Sequence, residues 1–231
     1  ENKIVLITGG GGSIGSELSK QILFNLPKKI IILDHSEFNL YVIIELLNKT
    51  IKENNLNTII VPILLSIQEK IKLENIFKVH KIDHVFHAAA YKHVPLLEEN
   101  IIEGVKNNIF GTYNVVDLAY EYECKKFILV STDKAVRPTN IMGASKRFSE
   151  MIVQAYASDR KKNRSTSFGI VRFGNVVNSS GSVIPLFSQQ INFGGPITVT
   201  HPEITRFFMT IPEAAGLILQ SSLLADSGEV F

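Results

Sequence analysis

Thr132, Asp133 and Lys134 put a hydroxyl, a carboxylate and an amine on three consecutive residues, directly after the apolar run Phe127 to Ser131. Delivered together at a strand end, they can hydrogen-bond a substrate oxygen and move protons to and from it. Met142 and Lys146 follow at the start of a predicted helix, four residues apart, so their side chains project from one face. A lysine in that place can bind a ribose hydroxyl and favour the negative charge that develops on oxygen as hydride leaves the adjoining carbon.

A second constellation lies at the start of the chain. Gly9, Gly12 and Gly15 are evenly spaced in Gly9-Gly10-Gly11-Gly12-Ser13-Ile14-Gly15, after the β-branched run Lys3 to Thr8. Residues lacking Cβ let the backbone turn sharply and approach a pyrophosphate, and the Ser13 and Ile14 amides of the helix that follows can donate to it. Asp34 stands 19 residues beyond Gly15, at the end of a second apolar run. A carboxylate there can accept both hydroxyls of an adenosine ribose and repels a 2′-phosphate, which favours NAD over NADP. His35 and Ser36 follow it, with no arginine beside them. Ala88, Ala89 and Ala90 leave room for a flat cofactor across the sheet, and Asn108 falls in a predicted helix behind it, where its amide can bridge backbone groups.

These residues need a sheet to bring them together. The runs Lys28 to Leu33, Thr58 to Leu64, His84 to His87, Lys126 to Ser131 and Ser167 to Arg172 are apolar without alternation, as parallel strands covered on both faces are. Helical periodicity separates them over about 39–52, 71–79, 105–122 and 144–160. The reading is an α/β, doubly wound, mostly parallel Rossmann sheet. Alternation stops after Arg172, which predicts a dinucleotide-binding domain over 1–174 and a substrate-binding lobe over 175–231. In that lobe a helix is expected over 183–193, a short strand over 196–200, and a helix over 211–224 that packs back on the main domain, with Thr210 as its cap.

Composition excludes several classes. Lys and Arg total 24 against 22 for Asp and Glu, a net charge of +2, too balanced to imply a nucleic acid or an anionic membrane. One cysteine, Cys124, rules out an internal disulfide and a multi-thiolate metal site. His87, His93 and His201 lack metal-ligand spacing, so no metal is expected. No stretch reaches the roughly 18 to 20 apolar residues needed to span a bilayer. Glu1 in place of a methionine, and an end at Phe231 within a predicted strand, read as a piece of a longer protein.

The stretches TGGGGSIGSEL (8–18), HAAAYKHVPLLEEN (87–100), STDKAVRPTNIMGASKR (131–147), VRFGNVVNSSGSVIPLF (171–187) and TVTHPEITRFFMTIPEAA (198–215) resemble the extended short-chain dehydrogenase/reductase superfamily. Within it, the chain is most similar to the bacterial polysaccharide-biosynthesis group of UDP-N-acetylglucosamine 4,6-dehydratases, in its long, membrane-anchored branch. That likeness implies membrane-spanning helices before Glu1, a catalytic domain at the cytoplasmic face of the inner membrane, and a homo-oligomer.

It also implies roles. Thr132 would hydrogen-bond O4 of the sugar, Lys134 would remove the C5 proton, and Asp133 would protonate the departing C6 hydroxyl, with low exposure tuning both groups. Hydride would pass from C4 to NAD and return to C6. Arg206 matches a diphosphate-binding arginine, Asn175 and Lys92 would contact substrate, and Ser182 and Val183 would hold the uridine end. Most of the superfamily has a tyrosine four residues before the lysine; here it is Met142, as in the long branch, and a thioether cannot serve as a base. Asp133 becomes the candidate base for the C4 hydroxyl. A nucleotide-sugar 4-epimerase and a non-catalytic binder of NAD or nucleotide sugars stay open as alternatives.

Overall fold

The computed structural model describes residues 1–159, 166–179, 181, 183–199 and 201–231. β1 (Ile4–Thr8), β2 (Lys29–Asp34), β3 (Ile59–Leu64), β4 (His84–His87), β5 (Lys126–Val130), β6 (Ser167–Val171) and β9 (Ser227–Val230) form one sheet, ordered β3-β2-β1-β4-β5-β6-β9. All of its pairings are parallel. The doubly wound Rossmann sheet expected from the apolar runs is therefore the observed one.

Strand periodicity of two explains how a continuous apolar run is used. Leu6, Ile31, Val85, Phe127 and Leu129 enter one core, beneath α3 (Lys70–His80), α6 (Thr112–Glu121) and α7 (Ile141–Ser158). Val5, Ile7, Ile30, Ile32, Phe86 and Ile128 enter the other, beneath α1 (Ser13–Leu23), α2 (Glu37–Glu53) and α9 (Ile211–Leu224). Cys124 is buried, and burial pushes its thiol up to about 12, so it is a core residue.

Helix ends follow local chemistry. Ser36 caps α2 by accepting from the Asn39 amide, and Asn140 caps α7 by accepting from the Gly143 amide at 2.8 Å. Thr210 and Glu213 form a reciprocal capping box on α9, which packs against α1. The predicted helix over 105–122 is longer and less regular than its pattern suggested: α5 (Ile101–Gly104) runs into a π-helical segment, Val105–Gly111, and then α6. A further short helix, α4 (Val94–Glu99), precedes it.

The region between the Rossmann core and α9 contains β7 (Asn175–Val176), α8 (Val183–Asn192) and β8 (Phe208–Met209), with β7 and β8 paired in a separate two-stranded sheet. The strand expected at 196–200 does not form over 196–199, and Thr200 lies outside the described residues. Thr198 instead bonds the Gln190 amide through both its N–H and its hydroxyl, so a side chain takes the bonds that a neighbouring strand would have taken. The run Arg160-Lys161-Lys162-Asn163-Arg164, which its charge marks as a solvated helix end, also lies outside the described residues. Among those described, no helix is long and apolar enough to cross a membrane.

Candidate active site

A cleft of about 680 Å³ lies over the carboxyl ends of β1, β4 and β5. A smaller hollow of about 170 Å³ shares Gly9, Gly12, Ala88, Ala90 and Tyr91 with it and extends past Asp34 and His35. One elongated site therefore runs across the sheet at the switch point between β1 and β4.

Its floor is backbone. Gly9 has φ +66°, and a Cβ there would lie 2.7 Å from the Ala89 backbone nitrogen and Cα. A Cβ on Gly15 would overlap the Gly9 carbonyl oxygen. Gly12 precedes α1 with no side-chain cap, and Ser13 and Ile14, the first residues of the helix, line the cleft. Asp34 is buried, accepting from the Gly11 amide through Oδ2 and from the Ser36 amide through Oδ1, both at 2.9 Å. His35 flanks it, 3.6 Å from Oδ1, with its ring edge against Tyr91. A glycine cradle, an uncapped helix start and a carboxylate fit a dinucleotide with a free adenosine ribose.

Asn108 bridges backbone groups of the neighbouring loop. Its side-chain amide accepts from the Tyr91 N–H at 2.8 Å and donates to the Tyr91 carbonyl at 2.9 Å, fixing the loop after Ala90. The Asn108 backbone carbonyl accepts the hydroxyls of Thr112 and Ser149, both at 2.6 Å. Because Thr112 donates there, it accepts from His87 Nε2 at 2.9 Å, and His87 Nδ1 accepts from the Thr8 hydroxyl at 2.6 Å. Burial, helped by the nearby Lys146 charge, lowers the imidazole to about 3, so His87 is a neutral link between β1 and the start of α6.

The catalytic candidates meet at the other end. Lys134 Nζ donates to Asp133 Oδ1 and to Asn175 Oδ1, each at 3.1 Å, and the Thr132 hydroxyl donates to Asp133 Oδ1 at 3.0 Å. Thr132, Lys134, Met142, Lys146, Asn175 and Val183 all line the cleft, as do Lys92 and His93. Asp133 sits one bond back from it. The side chains of Asp133 and Lys134 are 43% and 31% exposed, so the low exposure expected of this pair is not found: they form an ion pair at an open cleft mouth.

Lys146 is buried and donates to the Val130 carbonyl at 2.7 Å. Burial lowers its ammonium to about 8, against the opposing pull of the Glu150 charge. Lys92 is lowered by desolvation in the cleft wall. Arg206 is not brought into the cleft. It is exposed and donates to the Thr205 carbonyl at 2.8 Å, just before the strand whose Phe208 pairs with Asn175. Ser182 lies outside the described residues.

Sequence reasoning missed two features. A Cβ on Gly143 would overlap the Lys134 carbonyl, so this glycine lets α7 close against the catalytic turn. The Ser131 hydroxyl donates to the fully buried Glu150, which also binds Arg172 and Arg147. Of these, the four-residue step from Lys146 to Glu150 was the one visible signal.

The fold, glycine cradle and lysine-bearing helix define a Rossmann protein of the short-chain dehydrogenase/reductase class. The polysaccharide biosynthesis protein family model matches residues 5–231, and the chain belongs to that family. It is 52% identical over 230 residues to the capsular polysaccharide biosynthesis protein CapD of Staphylococcus aureus, spanning all of this chain and 37% of CapD. It is 36% identical over 231 residues to an inverting UDP-N-acetylglucosamine 4,6-dehydratase of Campylobacter jejuni, covering 99% of this chain and 66% of that protein. A UDP-glucose 4-epimerase of Rickettsia rickettsii is 34% identical over 230 residues, covering 100% and 65%.

Among solved structures, Pen from Bacillus thuringiensis superposes with a TM-score of 0.89 at 37% identity, over all of this chain and 70% of Pen. A dTDP-glucose 4,6-dehydratase from Streptomyces venezuelae, solved with NAD bound, has a TM-score of 0.81 at 20% identity, over 99% of this chain and 74% of that one, and shares the fold.

Proposed function

We propose that the protein is an NAD-dependent UDP-N-acetylhexosamine 4,6-dehydratase acting in surface-glycan biosynthesis. The observation that carries this reading is Lys134, whose amine lines the cleft while bonded to both Asp133 and Asn175. An epimerase needs hydride transfer at C4 but no acid and base at C5 and C6. Here an amine and a carboxylate are already held against each other.

NAD, bound along the glycine cradle with its ribose at Asp34, would supply a hydride acceptor at C4 and donor at C6. The protein does the proton work. Thr132 holds O4, and Asp133, directly or through water, takes the C4 hydroxyl proton that Met142 cannot. The resulting C4 ketone acidifies C5–H; Lys134, once it has given up its own proton, removes that one, Asp133 returns a proton to the departing C6 hydroxyl as water leaves, and the Lys134 ammonium reprotonates C5 when C6 is reduced. Lys146 binds the nicotinamide ribose as a cation. Lys92, Asn175, Ser182, Val183 and Arg206 are the proposed contacts for sugar, diphosphate and uridine. Exposed Phe110, Phe148 and Met151 on neighbouring helices support association of two copies. A membrane-anchored parent with this domain on the cytoplasmic side belongs to the same proposal, and 44% identity over 232 residues to an uncharacterized membrane protein of Methanocaldococcus jannaschii supports the anchor.

The test is the mass of the nucleotide sugar after incubation with UDP-N-acetylglucosamine. Loss of one water supports dehydration, and Lys134→Ala should abolish it. Unchanged mass with altered C4 configuration would establish the epimerase, and tight NAD binding without turnover of any UDP-sugar would establish the non-catalytic binder.

A further inference from the structure

Glu150 is fully buried, yet the proposed chemistry gives its carboxylate no step. It lies one turn along α7 from Lys146. Oε1 accepts from the Ser131 hydroxyl at 2.6 Å and from Arg172 Nε at 2.8 Å; Oε2 accepts from Arg172 Nη2 at 2.5 Å and from Arg147 Nη1 at 3.0 Å. Burial pushes this carboxyl up, and those hydrogen bonds, led by Arg172, outweigh it, so Glu150 is an anion. Lys146 bonds the Val130 carbonyl, and Glu150 bonds the next residue, Ser131. Two side chains of one helix thus clamp adjacent residues at the end of β5, directly before Thr132.

We propose that Glu150 is a positioning residue for hydride transfer: the counter-charge that holds Lys146 as a cation, and the anchor that aims Thr132 into the cleft through Ser131. The proposal rests on the role given to Lys146 above. The charged and titratable groups on the surrounding elements include Glu150 and Arg147 on α7, Arg172 after β6, His87 on β4, Asp133 and Lys134 on the turn after β5, Glu98 on α4, Glu103 on α5, and Lys92 and His93 in the wall of the same cleft. His87 is neutral, and Asp133 and Lys134 pair with each other. Of these, Glu150 is the fully buried anion one turn from Lys146, and Arg147 and Arg172 are the cations bonded to it.

Opposite signs follow for two substitutions. Glu150→Gln leaves Lys146, Arg147 and Arg172 without the anion, so Lys146 should lose its proton at lower pH. Arg147→Gln removes a cation whose side chain is 40% exposed, so Lys146 should hold its proton to higher pH. A merely structural role would not move the two in opposite directions.

The experiment is an NMR titration of protein carrying 13C-labelled lysine, with Lys146→Arg identifying the resonance. The wild-type signal is expected to titrate near 8. It should move down by about one pH unit in Glu150→Gln and up by a few tenths of a unit in Arg147→Gln. NADH affinity, followed by fluorescence, should weaken at the same shifted pH values. Unmoved titrations, or shifts in one direction for both variants, would overturn the proposal. If Glu150→Gln does not fold, Arg147→Gln decides alone, and an unmoved or lowered titration rejects the counter-charge. Because the readout needs no substrate, a correct titration without turnover of UDP-sugars would reject the dehydratase reading and leave the counter-charge standing.

Discussion

At the cofactor end of the cleft, Asp34 ends one strand and Gly9 and Ala89 closely follow two others of a sheet covered on both faces, whereas at the proposed substrate end, beyond the cleft, Val199, Arg206 and Phe207 lie on exposed chain. The substrate end is joined to the body by a two-residue strand pair and held within itself by the Gln190–Thr198 bonds. The first region takes its geometry from packing, because a buried backbone tolerates few arrangements. The second offers side chains to a ligand from a surface with little apolar burial behind it. The function proposed here, with a dinucleotide on the floor and a sugar nucleotide against the wall, calls for that difference.

Substitutions can break the comparison from either end. The largest effect is expected at the substrate end, where Lys134→Ala should lower single-turnover dehydration about 10²- to 10⁴-fold while NADH affinity by fluorescence stays within about twofold. Loss of both together would show that the two ends are not separable. At the cofactor end, Gly9→Val meets a left-handed φ and the Ala89 backbone at once. It should cost about 1–3 kcal/mol in urea unfolding and weaken NADH binding at least about tenfold. Gly194 has φ +88° but nothing within 4 Å, so Gly194→Ala pays only for the backbone, about 1–2 kcal/mol, with NADH affinity unchanged.

His87 sharpens the contrast through pH. Its imidazole titrates at about 3 in the fold against 6.5 ordinarily. Between those values the unfolded chain binds a proton that the folded chain does not, so stability rises with pH across the window and falls on acidification. The slope should approach about 1.4 kcal/mol per pH unit in urea titrations between about pH 4 and 6, and flatten in His87→Gln. The smallest effect is expected from Thr210→Ala, which removes one half of the α9 capping box and should cost about 1 kcal/mol without changing NADH affinity.

The cofactor end was legible because its determinants are local. Apolar runs marked buried strands, glycine spacing marked the cradle, and Asp34 stood at a strand end. The α9 helix was equally readable, since Thr210, Pro212 and Glu213 carry its start within four residues. The π-helical segment was not, because its apolar spacing over seven residues differs little from that of an α-helix. β7 and β8 are two residues each, too short for any period to register, and the β-branched run at 196–200 imitated the strand that they supply. The Ser131, Glu150 and Arg172 cluster joins residues 19 and 22 apart in sequence, a contact that only the folded sheet creates. The exposure of Asp133 and Lys134 likewise depends on how open the cleft mouth is, which no spacing encodes.

Removal of the C5 proton of a bound UDP-sugar by Lys134 leaves a mark that deuterium can read. With UDP-N-acetylglucosamine in deuterated water, the account predicts a product lighter by one water that carries one solvent deuterium at C5, and no such product from Lys134→Ala. A dehydrated product that keeps its original hydrogen at C5, or one formed at the wild-type rate without the Lys134 amine, would contradict it.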